Sequence, residues 1–161
     1  MRRILSQALV VLAIASMAAW GADNSIGTWK VNIEKSKYAP GPIPVKSLTS
    51  VREAVAGGVR VTNSGERTDG TTINASYTAK YDGSPTEVTG SGAPYDTIAV
   101  KQVDANTFTY EAKQTNGKYR SSGRTVISRD GKTMTPTAKG HLVATRHVRP
   151  VKQEINRTPL L

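Results

Sequence analysis

The side chains able to hold a metal ion or attack a substrate are few and scattered. The sequence contains no cysteine and only two histidines, His141 and His147. On an extended strand a separation of six residues places them ~20 Å apart, whereas zinc needs three or four converging ligands. We therefore predict no metal site and no cofactor. A cysteine nucleophile and a Gly-x-Ser-x-Gly nucleophile elbow are also absent from the sequence.

The carboxylates are distributed as turn residues rather than as a catalytic set. Three of them precede glycine, a pairing that hairpin turns favour, namely Asp69, Asp82 and Asp130. Glu53, Glu66 and Glu111 could meet inside a barrel as an acid–base pair. A hydrolase or isomerase of this kind is the weakest of three functional hypotheses, and we assign no catalytic residue.

The segments that would position these side chains alternate between apolar and polar residues. Turn signals such as Gly57-Gly58 and Asn116-Gly117 recur every ~8–14 residues, the spacing of an antiparallel meander. Between them, apolar residues occupy every second position, as in Thr71–Tyr81, and no stretch of the mature chain has a helical period. The sequence predicts an all-β fold, an antiparallel up-and-down barrel of about 8–10 strands, with a two-sheet sandwich as the alternative.

The N-terminus has the three parts of a secretory signal peptide. Arg2 and Arg3 precede an apolar run from Ala8 to Ala19, and small residues follow at Ala19-Trp20-Gly21. The apolar run is shorter than the ~20 residues that span a bilayer, which disfavours an uncleaved anchor. We predict a signal peptide over 1–21 and one domain over 22–161, in which 152–161 forms a loose tail. The protein would then be exported to the periplasm or out of the cell.

The chain is basic, with 22 Lys and Arg against 12 Asp and Glu. A surplus of this size favours polyanions, anionic lipid surfaces or acidic small molecules as partners. The positive residues are scattered, with no run of five, so solubility alone could also account for them. No nucleic-acid-binding motif is visible, and we expect a monomer that binds no nucleic acid.

Small inward-facing residues favour a ligand pocket inside the barrel. Alanine, valine, threonine and tyrosine occupy the inward positions, and a barrel of eight to ten strands encloses space that side chains or a ligand must fill. The predicted pocket is lined by four aromatic residues, Tyr77, Tyr81, Phe108 and Tyr110. The alternative is a flattened sandwich whose faces meet and leave no pocket.

Two short motifs resemble the calycin superfamily, the lipocalins and fatty-acid-binding proteins. Gly27-Thr28-Trp29-Lys30 resembles their Gly-x-Trp signature, and 130–135 followed by Thr145-Arg146 is similar to the end of the fatty-acid-binding proteins. The resemblance implies an antiparallel barrel around a lipophilic ligand, with Trp29 plugging one end. It further implies that Arg146 or Arg149 stacks on Trp29, or that Arg146 anchors an anionic ligand.

The leading hypothesis is an exported, lipocalin-like binding module for a small lipophilic ligand that can carry an anionic group. Arg146 would join the four aromatic residues in holding that ligand, and Trp29 and Arg149 would be structural. The alternative is a non-enzymatic structural or interaction domain whose basic outer face docks on anionic polymers or lipid surfaces. The first hypothesis requires a buried cation inside the barrel, and the second requires a charged stripe outside it.

Overall fold

The computed structural model describes residues 23–39, 41–142, 151–152 and 155–157. The predicted signal peptide over 1–21 lies outside these ranges. The described residues form twelve strands, which are β1 (Gly27–Val31), β2 (Val45–Val55), β3 (Gly58–Arg67), β4 (Thr72–Lys80), β5 (Asp82–Glu87), β6 (Thr89–Ser91), β7 (Thr97–Asp104), β8 (Thr107–Lys113), β9 (Tyr119–Ile127), β10 (Thr133–Leu142), β11 (Val151–Lys152) and β12 (Ile155–Arg157). No helix in the described part of the chain is long and apolar enough to span a bilayer.

The strands form one antiparallel, nearly closed, barrel-shaped sheet in the order β5-β7-β8-β9-β10-β12-β1-β2-β3-β4-β6, with β11 pairing β10. Two meanders, β1–β4 and β7–β10, make most of the wall. The predicted all-β barrel is confirmed. The count exceeds the predicted 8–10 because the strand predicted near Ser84 is two short strands and because β11 and β12 follow β10.

The short strand β12 joins the two meanders. Its residues pair with β1 on one side, with Trp29 opposite Arg157, and with β10 on the other, with Met134 opposite Ile155. The sequence predicted a loose tail over 152–161, but Ile155–Arg157 within it belongs to the wall and Ile155 is buried. A tail segment of little apolar content can be ordered in this way because two strand edges bind it.

The other seam of the barrel is covered by residues 82–91. The first part of this segment is β5, which pairs with β7, and the last part is β6, which pairs with β4. Between the two, the hydroxyl of Thr86 donates to the carbonyl oxygen of Thr78 at 3.0 Å. One segment thus crosses from one edge of the sheet to the other.

The turns follow the chemistry of the Asp-Gly pairs. Gly70 and Gly131 have φ angles of 85° and 66°, a region that residues with a Cβ seldom adopt. Asp69 accepts a hydrogen bond from the N–H of Thr71 at 2.9 Å, and Asp130 accepts one from Lys132 at 3.1 Å. The aspartate therefore shapes each turn through its own side chain.

Acid should weaken the fold through such turn carboxylates. Hydrogen bonds from nearby backbone or side-chain groups lower the pKa of five aspartates below 3.8, namely the exposed Asp69, Asp82, Asp104 and Asp130 and the partly exposed Asp96. Because the folded state holds these protons less tightly than the unfolded state, their contribution is present above pH ~4 and is lost as the pH falls through the lowered values. We expect the urea midpoint to drop between about pH 5 and 2.

Asp96 is the residue chosen for the test, because its carboxylate accepts more hydrogen bonds than that of any of the other four aspartates. Its carboxylate accepts the N–H of Thr115 at 2.9 Å, the hydroxyl of Thr115 at 2.8 Å and the hydroxyl of Thr97 at 3.0 Å. Asp96→Asn should reduce the pH dependence of the urea midpoint, whereas the exposed Glu34→Gln should leave it unchanged. An equally steep acid transition in Asp96→Asn would contradict this assignment.

Candidate functional site

Residues 23–29 precede and begin β1 and bond to the turn between β7 and β8, and we call them the plug. Trp29 and Ser25 are both fully buried. The indole N–H of Trp29 donates to the carbonyl oxygen of Ser25 at 2.8 Å. The amide of Asn24 donates to the side-chain oxygen of Asn106 at 2.7 Å, which ties the plug to the turn between β7 and β8.

Tyr81 links the plug to the apolar core. Its hydroxyl donates to the carboxylate of Asp23 and lies 3.3 Å from the hydroxyl oxygen of Ser25. Its ring lies against Phe108 with centroids 5.1 Å apart. Burial, followed by the hydrogen bond to Asp23, raises the pKa of Tyr81 to about 12. The phenol is therefore neutral at physiological pH and can act as a hydrogen-bond donor.

Four more tyrosines converge in the interior, and we call Tyr77, Tyr95, Tyr110 and Tyr119 the tyrosine cluster. The rings of Tyr95 and Tyr119 stack with centroids 6.1 Å apart. Burial raises the pKa of each tyrosine in the cluster, and the other three hydroxyls raise that of Tyr95 further. Hydrogen bonds to Ser121 oppose the rise at Tyr110 and Tyr119. These four phenols are therefore neutral at physiological pH, because burial disfavours their charged form.

The pairing of β8 with β9 explains how Tyr110 is held. Tyr110 lies directly opposite Gly123, and a Cβ at position 123 would be only 2.7 Å from its Cε1 atom. The ring therefore occupies the space above the glycine. Several inward positions around it are also small and buried, including Ala75, Ala79 and Ala112.

A cation shares the interior with these tyrosines. Arg52 lies opposite Gly27 on β1 and Val61 on β3, and Val61 lies opposite Tyr77 on β4, so all four positions face inward. The charge of Arg52 and its hydrogen bond oppose the rise in the pKa of Tyr77. Among the described residues, the buried Nε of Arg52 has no hydrogen-bond partner. The barrel interior therefore contains a positive group with an unused donor.

The structure brings the four predicted aromatic residues together. Phe108 belongs to the same buried cluster as Trp29, and Tyr77, Tyr81 and Tyr110 pack against that cluster. Arg146 and Arg149 lie outside the described residues. Sequence reasoning missed four interior polar residues, namely Arg52, Tyr95, Tyr119 and Ser121. Tyr119 and Ser121 could have been found from the alternation along β9, but the placement of Arg52 depends on its pairing with β1.

The suggested acid–base pair is wrong for the glutamates named. Glu53, Glu66 and Glu111 alternate with inward residues and so lie on the outer face. Glu66 forms an ion pair with Lys46 at 3.0 Å. Among the residues that the structure describes, no group of three or more His, Asp or Glu side chains could hold a metal ion.

Two cavities bear on ligand binding. A cavity of about 170 Å³ lies beside β6 and the segment that follows it, and it borders the inward residues Ala75 and Tyr95. A larger groove of about 840 Å³ lies on the outer face of β7 to β10. The first reaches the tyrosine cluster at Tyr95, and the second borders Tyr110 where β8 lies opposite Gly123.

Comparison with known proteins adds no relative. No protein-family model matches the chain, and no curated protein is similar to it in sequence.

Removing the indole N–H should loosen the plug. Trp29→Phe leaves the buried carbonyl oxygen of Ser25 without its donor and removes ring volume, which together cost about 2–4 kcal/mol. Urea unfolding followed by circular dichroism measures this loss. Val51→Ala, on the outer face of the adjacent strand and 36% exposed, should cost under ~1 kcal/mol. Equal losses in the two variants would contradict a special role for the plug.

Alkali should unfold the protein through its buried phenols. A pKa raised in the folded state means that the folded protein holds the phenolic proton more tightly than the unfolded chain. This contribution is present below pH ~10 and is lost as the pH rises through the raised values. We expect the urea midpoint to fall above pH ~10, with a weaker fall in Tyr110→Phe than in Tyr38→Phe, since Tyr38 is 39% exposed. A flat midpoint across this range would contradict the arrangement.

Proposed function

We propose that the protein is an exported, lipocalin-like binding module for a small lipophilic ligand with an anionic head group. The head group would bind Arg52 and Tyr77, and the apolar part would lie against the small inward residues. The observation that carries this proposal is the buried, unpartnered Nε of Arg52.

The energetics of Arg52 favour a ligand anion. Arg52 is partly exposed, but its Nε is buried without a partner, and a buried donor left unpaired costs ~1–3 kcal/mol. An oxyanion would supply the missing acceptor and pair the charge, and hydrogen bonds to charged groups contribute ~1.5–3 kcal/mol each. Tyr77, which is neutral because burial raises its pKa, could donate to the same oxygen.

The size of the opening limits the ligand. The cavity beside Tyr95 has a volume of about 170 Å³, below the ~300–1,000 Å³ of common ligand pockets. A short-chain ligand needs the least rearrangement, and a longer one would displace β6 and the segment after it. Gly90, on β6, and Gly92, just after it, have φ angles of 97° and 81°, a backbone conformation that favours glycine.

The Gly-x-Trp motif supports the same proposal. Gly27 has a φ of 135° and lies opposite Arg52, while Trp29 plugs the barrel. This arrangement fits the resemblance to calycins on which the sequence hypothesis depends. The signal-like N-terminus supports export, which places the ligand in the periplasm or outside the cell.

Replacing the buried cation should affect binding and stability in opposite directions. Arg52→Met retains much of the side-chain length but removes the charge and the unpaired donor. We expect at least ~10-fold weaker binding of octanoate or a longer fatty acid, with unchanged or higher stability of the unliganded protein. The matched control is Arg60→Met on β3, an exposed residue on the outer face, which should change neither.

Calorimetric titration with a fatty-acid series, and with the alcohols of the same chain lengths, tests the head-group assignment. Equal affinity of Arg52→Met and the wild type would overturn the role of Arg52. Native mass spectrometry of the protein from its own secretory pathway tests binding in general. An unliganded mass, together with no thermal stabilisation by any member of the series, would overturn the proposed function.

A further inference from the structure

The positive charge of the described residues is concentrated on one half of the barrel. Residues 97–142, which form β7 to β10 and their turns, carry eight Lys and Arg against three Asp and Glu. Residues 23–91, which form β1 to β6, carry eight against seven. The basic surplus is therefore located on one side of the molecule rather than spread evenly, as solubility alone would require.

The register aligns this charge across the outer groove. One row of opposed residues runs from Lys101 through Thr109 and Arg124 to Thr137. The next row, two residues along each strand, runs Ala99, Glu111, Ser122 and Lys139. All eight residues line the groove of about 840 Å³. Because adjacent strands are ~4.8 Å apart, Lys101 and Arg124 lie ~10 Å apart across it.

The groove is lined by charged side chains and by short side chains that lie between them. Lys101, Arg124 and Lys139 supply the positive charge, and Ala99 and Ser122 are short residues between them. Asp82 and Glu111 supply two carboxylates at the same surface. Among the described residues none of these five charged side chains forms a direct ion pair, since the pair found there is Lys46 with Glu66. Asp82 already accepts hydrogen bonds from Ser84 at 2.8 and 2.6 Å, and the charge of Arg124 lies near Asp104, so Lys101, Lys139 and Glu111 are the charges most available to a ligand.

We propose that this outer groove binds an acidic polysaccharide chain, independently of the ligand inside the barrel. The three cations would bind carboxylate or other anionic groups along the chain. Asp82 and Glu111 would accept hydrogen bonds from sugar hydroxyls, and the hydroxyls of Thr109, Ser122 and Thr137 could both donate and accept.

The mixture of charges selects this partner over other polyanions. A phosphate backbone offers almost no hydroxyl donors, so Asp82 and Glu111 would repel it without compensation. A membrane surface is flat or convex on this scale and cannot enter the groove. The aromatic residue that borders the groove, Tyr110, has its ring over Gly123 and against the core, where unpaired bases could not stack on it. A chain that carries both anionic groups and hydroxyls satisfies the cations and the carboxylates together.

The test compares two triple variants with the same loss of charge. The groove variant carries Lys101→Gln, Arg124→Gln and Lys139→Gln. The control variant carries Lys30→Gln, Arg60→Gln and Lys80→Gln, three exposed residues on β1, β3 and β4. The probe is an oligogalacturonate, titrated into each protein at low and physiological salt, with neutral dextran, single-stranded DNA and phosphatidylglycerol vesicles as comparison ligands.

We expect the groove variant to lose at least ~10-fold in oligogalacturonate affinity and the control variant less than ~3-fold. Glu111→Ala should weaken oligogalacturonate binding, because it removes the acceptor of the sugar hydroxyls, whereas simple charge attraction would make binding stronger. Equal losses in the two triple variants, or tighter binding in Glu111→Ala, would overturn the proposal. Tighter binding of DNA or vesicles than of oligogalacturonate would overturn it too.

This test is independent of the interior site. Arg52→Met should leave oligogalacturonate binding unchanged, and the groove variant should leave fatty-acid binding unchanged. Loss of oligogalacturonate binding in Arg52→Met would contradict a separate outer site. A melting temperature within a few degrees of the wild type, measured for every variant, establishes that each one is folded.

Discussion

The burial of Trp29 on β1 is the constraint on which the rest of the barrel depends. The indole of Trp29 is fully buried and its N–H donates to the carbonyl oxygen of Ser25. This one large side chain therefore determines which face of β1 points into the barrel. Because strand side chains alternate with a period of two, the pairing of β1 then decides which residues of β2 face inward. β12 lies on the other side of β1 and completes the join to β10.

The polar groups inside the barrel differ from one part of the interior to another. At the plug, Asp23 and Ser25 bind the hydroxyl of Tyr81. Elsewhere in the interior Arg52 lies beside Tyr77, and Tyr110 and Tyr119 bond to Ser121. Buried phenols remain neutral because charge is costly in an apolar space. Within the described part of the chain, the buried Nε of Arg52 lacks a partner, which costs stability, and under the proposed function a ligand anion would relieve that cost.

The two faces of the β7–β10 wall have different chemistry because adjacent residues point in opposite directions. The inner face carries Phe108, Tyr110 and Ala112, while the outer face carries Thr109 and Glu111 between them. One short sequence thus supplies both the apolar interior and the polar groove. The two proposed sites share these strands but no side chain that binds, so each can be altered separately.

The sequence by itself determined the all-β class, the positions of the Asp-Gly turns and the aromatic residues of the core. These follow from local rules, namely alternation along each strand and the backbone freedom of glycine. Only the tertiary structure decided that Arg52 faces inward, that Glu53, Glu66 and Glu111 face outward, and that a tail segment closes the wall. Those facts depend on register between strands far apart in the chain, and alternation within one strand cannot supply it, because shifting a strand by one residue exchanges its two faces.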